Sequence, residues 1–380
     1  MADNELMARL VYDGGDAVLI PPEMGTPRED QMQGSPIDRV TELCGRICYD
    51  SLGKGRNSAE YHKHIRDSRH FSVLMHAPIT CEVSLPPGAL LHNWLSLANR
   101  PGAWFTVAPY GMRSVNTARV TINLAAIAQW ERFTPPYVGE LGKGSFDLCE
   151  VMGRLLYYEM RKAAPLAATT DGDTWGNETV EVRRVEPEFP EERWISLYLR
   201  GGRTMSHEQV RHHYHCAVSQ RSSRYCDEDG SPVVTHPLLD AYMADGGTPP
   251  LYEKYANVIE SARQLYRDII ADLTPWWQAK HPELSKLDVR KQVRGAARGI
   301  LPMSLSTEMI FSASVSQWLF MLNQRACEAA DAEIRCLFAG YEGWHGTVID
   351  ALRNSRYSNC FEHLVGKRSA DGIGNVVTGD

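Results

Sequence analysis

The sequence predicts an α+β protein in which an antiparallel or mixed sheet is flanked by a helical bundle. The second half of Phe71–Val83 and all of Trp194–Leu199 are rich in β-branched or aromatic residues, which favours strands. The C-terminal third is dominated by apolar residues at helical spacing. Residues 86–190 are rich in turn residues and are interpreted as a long insertion within one domain spanning residues 1–380.

In the first third of the chain, the pattern predicts one short strand and two helices. The strand is expected at Ala17–Ile20. Ser35 can cap a helix and Pro36 suits its first position, and apolar residues follow at helical spacing as far as Cys48. Residues 58–68 have the pattern of a second, more polar helix.

The remaining elements are predicted from local composition and from breaks in the pattern. Ser206 with Gln209 three residues later resembles a capping box, so a helix is expected to begin near His207. Pro275 is expected to end a helix that begins near Leu251. Helices are also predicted near 118–131 and 148–162 and over 289–299, 304–324 and 326–339, an acidic surface excursion over 168–192, and a disordered tail over 366–380.

Composition excludes several classes of protein. The chain has 380 residues, 43% hydrophobic and 23% charged, which is ordinary for a globular protein. Its 40 Lys and Arg against 47 Asp and Glu give a net charge of −7, which argues against a protein that coats duplex DNA. Nine cysteines without a Cys-x-x-Cys pair, no readable signal peptide and no apolar run long enough for a membrane span predict a cytoplasmic protein.

One segment concentrates groups suited to binding an anion. Residues 206–226 read SHEQVRHHYHCAVSQRSSRYC and contain four histidines and three arginines in a net acidic chain. A strand and a Gly-Gly turn precede it, and the free N–H groups of a helix start bind anions. Arginine forks match phosphate oxygens, and Ser222 and Ser223 add hydroxyl donors beside Arg224.

The same segment also permits metal or thiol chemistry. His212 and Cys216 are four residues apart, and His207, His213 and His215 lie nearby, so a zinc-dependent hydrolase or deaminase remains an alternative. Cys216 is also a candidate nucleophile, although a buried structural cysteine is the commoner case.

Three blocks of sequence resemble the flavin-dependent thymidylate synthases (the ThyX family). Arg211-His212-His213 followed by Ser222-Ser223-Arg224-Tyr225 is similar to the family's Arg-His-Arg … Ser-x-Arg-Tyr signature. The segment HFSVLMHAPITCEV at 70–83 and the segment from ARGILP at 297 to AEIR at 335 resemble two further family blocks, in the same order. The resemblance covers about residues 35–85 and 194–345, and its ordered blocks are more specific than any one motif.

The resemblance implies a ThyX-like fold, a homotetramer with active sites at subunit junctions, and methylation of C5 of a uridine-type monophosphate. FAD is the implied cofactor, with NADPH and methylene-tetrahydrofolate as co-substrates, and no metal. Carried over by position, the substrate-binding residues are Glu208, Ser222, Arg224, Arg298 and Arg325, of which Arg298 and Arg325 are the catalytic candidates. The implied flavin contacts are His76, Arg211, His212, His213 and Gln220.

The sequence departs from the family pattern at several of these positions. His213 replaces the second Arg, the spacer to Ser222 is one residue longer than expected, and Met75 replaces a Glu. Ser314, Ser316 and Phe320 stand where the family has polar residues for the flavin. We hypothesise that Asn123 and Gln129 replace some of those contacts.

The departures leave the substrate open between dUMP and UMP, as in a specialised methylase of nucleoside-antibiotic biosynthesis. A third hypothesis is a relative that binds nucleotide or flavin without activity.

Overall fold

The computed structural model describes residues 6–84, 106–107, 117–123, 125, 156, 159–166, 181–340, 347–368 and 373–378. Its α-helices are α1 (Pro36–Tyr49), α2 (Ser58–Asp67), α3 (Arg203–Gln209), α4 (Pro237–Ala244), α5 (Pro249–Lys280), α6 (Lys286–Ala297), α7 (Val315–Arg325), α8 (Ala332–Ala339) and α9 (Val348–Arg353). Its strands are β1 (Met7–Tyr12), β2 (Ile79–Ser84), β3 (Thr106–Val107), β4 (Thr117–Ile122), β5 (Glu181–Val185), β6 (Trp194–Gly202), β7 (Cys216–Gln220), β8 (Ser306–Ser314), β9 (Leu364–Arg368) and β10 (Gly374–Thr378). The predicted α+β class is confirmed.

The central sheet has the strand order β1-β6-β8-β7, and each neighbouring pair is antiparallel. Strand β6 is buried on both faces because the sheet separates two cores. Tyr198 packs into the core that contains α1, whereas Leu197 and Leu199 pack into the core that contains α7 and α8. The apolar run predicted to be a strand is therefore a central strand covered on both sides.

A second antiparallel sheet has the order β3-β4-β2-β5, so strands from residues 86–190 pair around β2. The helix predicted near 118–131 is wrong for residues 117–122, which form β4. Within the acidic surface excursion predicted over 168–192, the described residues include β5, a largely exposed edge strand, and the prediction is wrong at Glu192. Glu192 is buried and paired with the buried Arg119 at 2.7 Å, so this carboxylate belongs to the interior and not to a solvated face.

Helix α1 forms as the sequence predicts. The Ser35 hydroxyl accepts the N–H of Asp38, whose carboxylate accepts the N–H of Ser35, and Pro36 occupies the first turn. Asp50 ends the helix in the left-handed conformation with φ of 48°. The predicted second helix is confirmed as α2, capped by Asn57.

Tertiary pairing overrides local pattern at several other places. No strand forms at Ala17–Ile20, and the N-terminal strand is β1 instead. The helix predicted over 304–324 is wrong in its first half, because residues 306–314 form β8 between β6 and β7. Residues beyond Gly366 pair as β9 and β10, so the described part of the tail is not disordered.

Two helix boundaries also differ from prediction. Helix α3 begins at Arg203 with Gly202 as its N-cap, and the Ser206 hydroxyl donates to the Arg203 carbonyl within the helix. Ser206 is therefore not a cap. Helix α5 continues through Pro275 to Lys280 instead of ending there. Among the described residues, none of the helices is long and apolar enough to cross a membrane.

Candidate functional site

The predicted site residues gather mainly at the two ends of β7. Helix α3 and residues 210–215 lead into its first residue, Cys216, and the turn that contains Ser222 follows its last residue, Gln220. The four steps between Cys216 and Gln220 span about 13 Å at about 3.3 Å per residue, so the two groups adjoin opposite ends of the strand. We call them the His212 cluster (Glu208, Arg211, His212, His213 and Arg325) and the Arg224 cluster (Ser222, Ser223, Arg224 and Arg298).

Arg325 is the centre of the His212 cluster. From the end of α7 its Nη1 donates to Glu208 Oε2 at 2.5 Å, and its Nε donates to His212 Nε2 at 2.9 Å. Glu208 is on the last turn of α3, so this contact joins two helices that are far apart in the sequence. The arginine and the carboxylate are about one-fifth exposed, at 20% and 23%, so the pair is open to a ligand from one side.

The hydrogen bond from Arg325 defines the protonation state of His212. A ring nitrogen that accepts a hydrogen bond carries no proton, so the imidazole is neutral with its proton on Nδ1. Partial burial, the Arg325 charge and His213 together lower the pKa of His212 to about 4. Burial raises the pKa of Glu208 despite the opposing charge of Arg325.

The surface around this cluster is basic and apolar. Arg211 and His213 are exposed, and the His213 ring faces the Arg211 carbonyl at 2.9 Å. Val210, Tyr214 and Phe320 are large apolar side chains left exposed, and the Phe320 ring contacts His212 edge to face. A flat aromatic ring with an anionic phosphate group fits such a surface, because it covers the apolar side chains and pairs with the basic ones.

The turn of the Arg224 cluster is held by the C-terminal end of α1. The Ser222 N–H donates to the Cys48 carbonyl at 3.0 Å, and Tyr225 packs edge to face on Tyr49 with ring centres 4.7 Å apart. Arg294 of α6 donates to the Tyr225 carbonyl at 2.6 Å. These contacts fix the backbone of a turn whose Arg224 side chain is exposed.

Arg298 and Arg224 lie on the same side of α6. Arg298 Nη1 donates to the Ser223 hydroxyl at 3.3 Å, and Arg224 Nε is 3.9 Å from the position that a Cβ on Gly295 would occupy. Two exposed guanidinium groups and two serine hydroxyls make this turn suitable for a phosphate. Arg325 belongs to the other cluster, where it contacts Glu208 and His212.

The other predicted flavin contacts are less exposed than the His212 cluster. His76 and Asn123 are buried, and Gln220 is half-buried. Gln220 Nε2 donates to the Ser206 and Thr307 hydroxyls, each at 3.1 Å. Asn123 is buried, one residue beyond the Ile79–Ile122 pair of the second sheet. Gln129, the other residue of that hypothesis, lies outside the described residues.

His76 is fully buried between the sheet and α1. Its Nδ1 is 2.7 Å from the Ser312 hydroxyl and its Nε2 is 2.9 Å from the Ser219 hydroxyl, and Ser312 contacts Ser196 at 2.6 Å. Burial lowers the pKa of His76 to about 3, so the ring is neutral at pH 7. Both ring nitrogens are occupied within the protomer, and its flavin contact therefore stays a prediction.

Sequence reasoning missed the three serines of this network. They are on β6, β7 and β8 and are distant from His76 in the sequence, so no local pattern connects them. Ser314, which stands where the family has a flavin contact, caps α7 by accepting the Gln317 N–H, and its hydroxyl is 3.0 Å from that of Ser316. Both serines therefore have a structural use at the start of the helix that carries Arg325.

The histidines and cysteines of residues 206–226 bear on the alternatives of metal and thiol chemistry. Among the residues that the structure describes, no group of three or more His, Cys, Asp or Glu side chains could hold a metal ion. Cys216 Sγ donates to the His212 carbonyl at 2.8 Å, and burial raises the pKa of its thiol to about 12. A thiol held protonated is a poor nucleophile and a poor ligand.

Comparison with known proteins identifies the family of this chain. Residues 144–340, more than half of the chain, match the sequence model of the family described as thymidylate synthase complementing protein. A protein of Mycobacterium avium named flavin-dependent thymidylate synthase is 31% identical over 220 residues, which is 57% of this chain and 82% of the relative.

Two further relatives carry the same name. That of Mycobacterium sp. strain JLS is 30% identical over 225 residues, or 58% of this chain and 84% of the relative. That of Corynebacterium diphtheriae is 31% identical over 191 residues, or 50% of this chain and 70% of the relative. On the extent of these matches, this chain belongs to the thymidylate synthase complementing protein family, that of the flavin-dependent thymidylate synthases.

Proposed function

We propose that this protein is an FAD-dependent enzyme that methylates C5 of a uridine-type nucleoside monophosphate, dUMP or UMP, with methylene-tetrahydrofolate as carbon donor and NADPH as reductant. The observation that carries the proposal is the pair of clusters at the ends of β7 in a chain of this family. One cluster offers exposed arginines and hydroxyls suited to a phosphate, and the other offers a basic and apolar surface suited to an aromatic cofactor.

The flavin, when bound, supplies the carbon and hydride transfer chemistry, and the protein supplies binding and electrostatics. We assign the flavin to the His212 cluster, with Arg211 and His213 facing its phosphates and His212 facing the ring. Gln220, His76 and Asn123 are the other residues assigned to the cofactor; Gln220 and His76 are held by serine and threonine hydroxyls, and Asn123 is buried. The exposed Phe320 and Tyr214 provide the apolar contact that a flat ring requires.

The nucleotide is assigned to Ser222, Arg224 and Arg298 on one side and to Glu208 and Arg325 on the other. Arg224 and Ser222 bind the phosphate, since guanidinium forks and hydroxyls match its oxygens. Arg298 and Arg325 are the catalytic candidates, because a guanidinium next to a uracil carbonyl stabilises negative charge that develops on its oxygen. Glu208 accepts from Arg325 and holds the guanidinium in a fixed orientation.

A complete site then combines more than one copy of the chain, because about 13 Å of strand lies between the two clusters. Helix α5 supports self-association. Ile259 and Tyr266 are the buried side chains in its 32 residues. Apolar side chains at helical spacing along α5 remain largely open, with Leu251, Val258 and Leu265 between 44 and 68% exposed, and Trp276 near its end is 53% exposed. We propose a homotetramer in which one copy supplies the His212 cluster and another supplies the Arg224 cluster.

The test is a reconstitution assay with purified protein. It is incubated with FAD, methylene-tetrahydrofolate and NADPH together with dUMP or UMP, and the nucleotide is weighed by mass spectrometry. We expect the protein to be yellow, with a flavin band near ~450 nm, and one of the two nucleotides to gain a methyl group. A colourless protein that refuses added FAD would contradict the proposal. Stoichiometric zinc with a flat visible spectrum would favour a metal-dependent hydrolase.

A further inference from the structure

Glu333 is a buried carboxylate aimed at the start of the helix that carries Glu208. It is 3% exposed and lies on the first turn of α8. Its Oε1 accepts the N–H of Gly202 at 2.7 Å. Gly202 is the N-cap of α3, and Glu208 is six residues further along this short helix.

The contact depends on a glycine at position 202. A Cβ there would lie 2.5 Å from Glu333 Oε1 and 3.2 Å from its Cδ, closer than side-chain atoms approach one another. The backbone φ of Gly202 is −67°, which every residue adopts, so the reason for glycine is the close approach and not the conformation. Gly201 and Gly202, predicted as a turn, are the last two residues of β6, and Gly202 supplies the N–H that the Glu333 carboxylate accepts.

Glu333 also connects the chain segment that carries Arg325 to the helix that carries Glu208. Arg325 ends α7, and Glu333 is eight residues later at the start of α8, so both belong to the same short stretch of chain. That stretch contacts α3 twice, once through Arg325 to its last turn and once through Glu333 to its N-cap. A two-turn helix held at both ends has little freedom to rotate or slide.

We propose that Glu333 is a positioning residue for the nucleotide site, in which its charged carboxylate fixes the start of α3 and thereby the Glu208–Arg325 pair. The proposal rests on the function proposed above. A charged carboxylate bonds a backbone N–H about twice as strongly as a neutral carboxyl or amide does, and it also interacts with the N-terminal end of the helix dipole. Loss of the charge therefore loosens α3 without removing any group that touches the nucleotide.

The surroundings of Glu333 bring the pKa of its carboxyl group close to neutral pH. Burial raises the pKa of Glu333 to about 7, opposed by the Gly202 N–H. Three titratable groups face it, namely Asp331, His236 and Glu208. Asp331 is the N-cap of α8, and His236 is the N-cap of α4. His236 Nε2 lies 3.4 Å from Asp331 Oδ2, so these two groups form a separate pair beside it.

The experiment measures the dissociation constant of dUMP and UMP by calorimetry from pH 6 to pH 8.5 for the FAD-loaded wild type and three variants. Glu333→Gln keeps the size and one acceptor but removes the charge. We expect about fivefold to tenfold weaker binding at pH 8 and a flatter pH dependence than in the wild type. Asp331→Asn is the matched control, because it removes a neighbouring carboxylate and keeps a capping side chain. We expect the Asp331→Asn affinity at pH 8 to follow the wild type, and its pH dependence to move to lower pH, because the Asp331 charge raises the pKa of Glu333.

Gly202→Ala tests the route of the effect. If Glu333 acts through the N–H of residue 202, the Gly202→Ala change weakens binding as well, and adding Glu333→Gln to it has little further effect. Amide hydrogen exchange of residues 203–209 without nucleotide is the second readout, and we expect it to be faster in Glu333→Gln and unchanged in Asp331→Asn.

Two different failures can be told apart. A Glu333→Gln variant with wild-type affinity, pH dependence and amide exchange would overturn the positioning role while leaving the proposed function standing. A wild type that binds neither nucleotide would contradict the proposed function, and the exchange rates alone would then decide whether Glu333 holds α3.

Discussion

Removal of the Arg325 guanidinium should raise the pKa of His212. This prediction follows directly from the contacts at the end of α7. Arg325→Ala deletes the donor that lies 2.9 Å from His212 Nε2 and the cation that lies 2.5 Å from Glu208 Oε2. Burial and the Arg325 charge are the two largest causes of the low His212 pKa, and the substitution removes the charge and opens the ring to water. The His212 pKa should therefore rise from about 4 towards its ordinary value near ~6.5.

The loss of nucleotide affinity expected in Arg325→Ala follows from the same contacts. A hydrogen bond to a charged group contributes about 1.5–3 kcal/mol, and about 1.4 kcal/mol is a tenfold change in affinity. Arg325→Ala should therefore weaken nucleotide binding roughly 10- to 100-fold. Arg325→Lys keeps the charge but loses the fork, so it should give an intermediate His212 pKa.

The assay is a histidine-ring NMR titration, with the His212 signal assigned by its absence in His212→Gln. A His212 pKa that stays near 4 in Arg325→Ala would refute the contact between these side chains.

Three further predictions concern the other buried or exposed groups. Arg224→Ala should weaken nucleotide binding by about 1.5–3 kcal/mol in a calorimetric titration, and an unchanged affinity would remove Arg224 from the site. Cys216→Ala should keep activity, because its thiol is protonated; complete loss would favour a thiol mechanism. The His76 pKa is depressed to about 3, so its contribution to stability is present above pH ~6.5 and is lost as pH falls towards 3, at about 1.4 kcal/mol per pH unit. Urea unfolding at pH 7 and pH 5 should show a smaller loss in His76→Gln than in the wild type, and equal losses would argue against a neutral buried ring.

Local chemistry was enough to predict the elements whose signals are local. Helix α1 has a capping box, a first-turn proline and a regular apolar face, and all three act within the same segment. Strand β6 could be predicted because a short run of apolar residues between polar segments is typical of a buried strand. The residues of both clusters are candidates that the sequence itself indicates, because arginines, histidines and serines concentrate in one segment and in the blocks that resemble the family.

The remaining elements and contacts depend on pairing between residues that are distant in the sequence. Residues 306–314 have a pattern that also suits a helix, and they form a strand because β6 and β7 flank them. Arg119 and Glu192 look like surface charges until the second sheet buries them together. The partition of the three arginines between two ends of β7 likewise follows from the sheet order, which no local motif encodes.

The most direct test of the central claim is subunit complementation. Arg224→Ala and Arg325→Ala each disable one cluster, and the two purified variants are unfolded together, refolded as a mixture and assayed for nucleotide methylation. If a site combines clusters from different copies, random mixing restores about one quarter of the wild-type sites, and activity should return to that level. A mixture as inactive as either variant alone, under conditions that refold the wild type, would show that each protomer builds its site by itself.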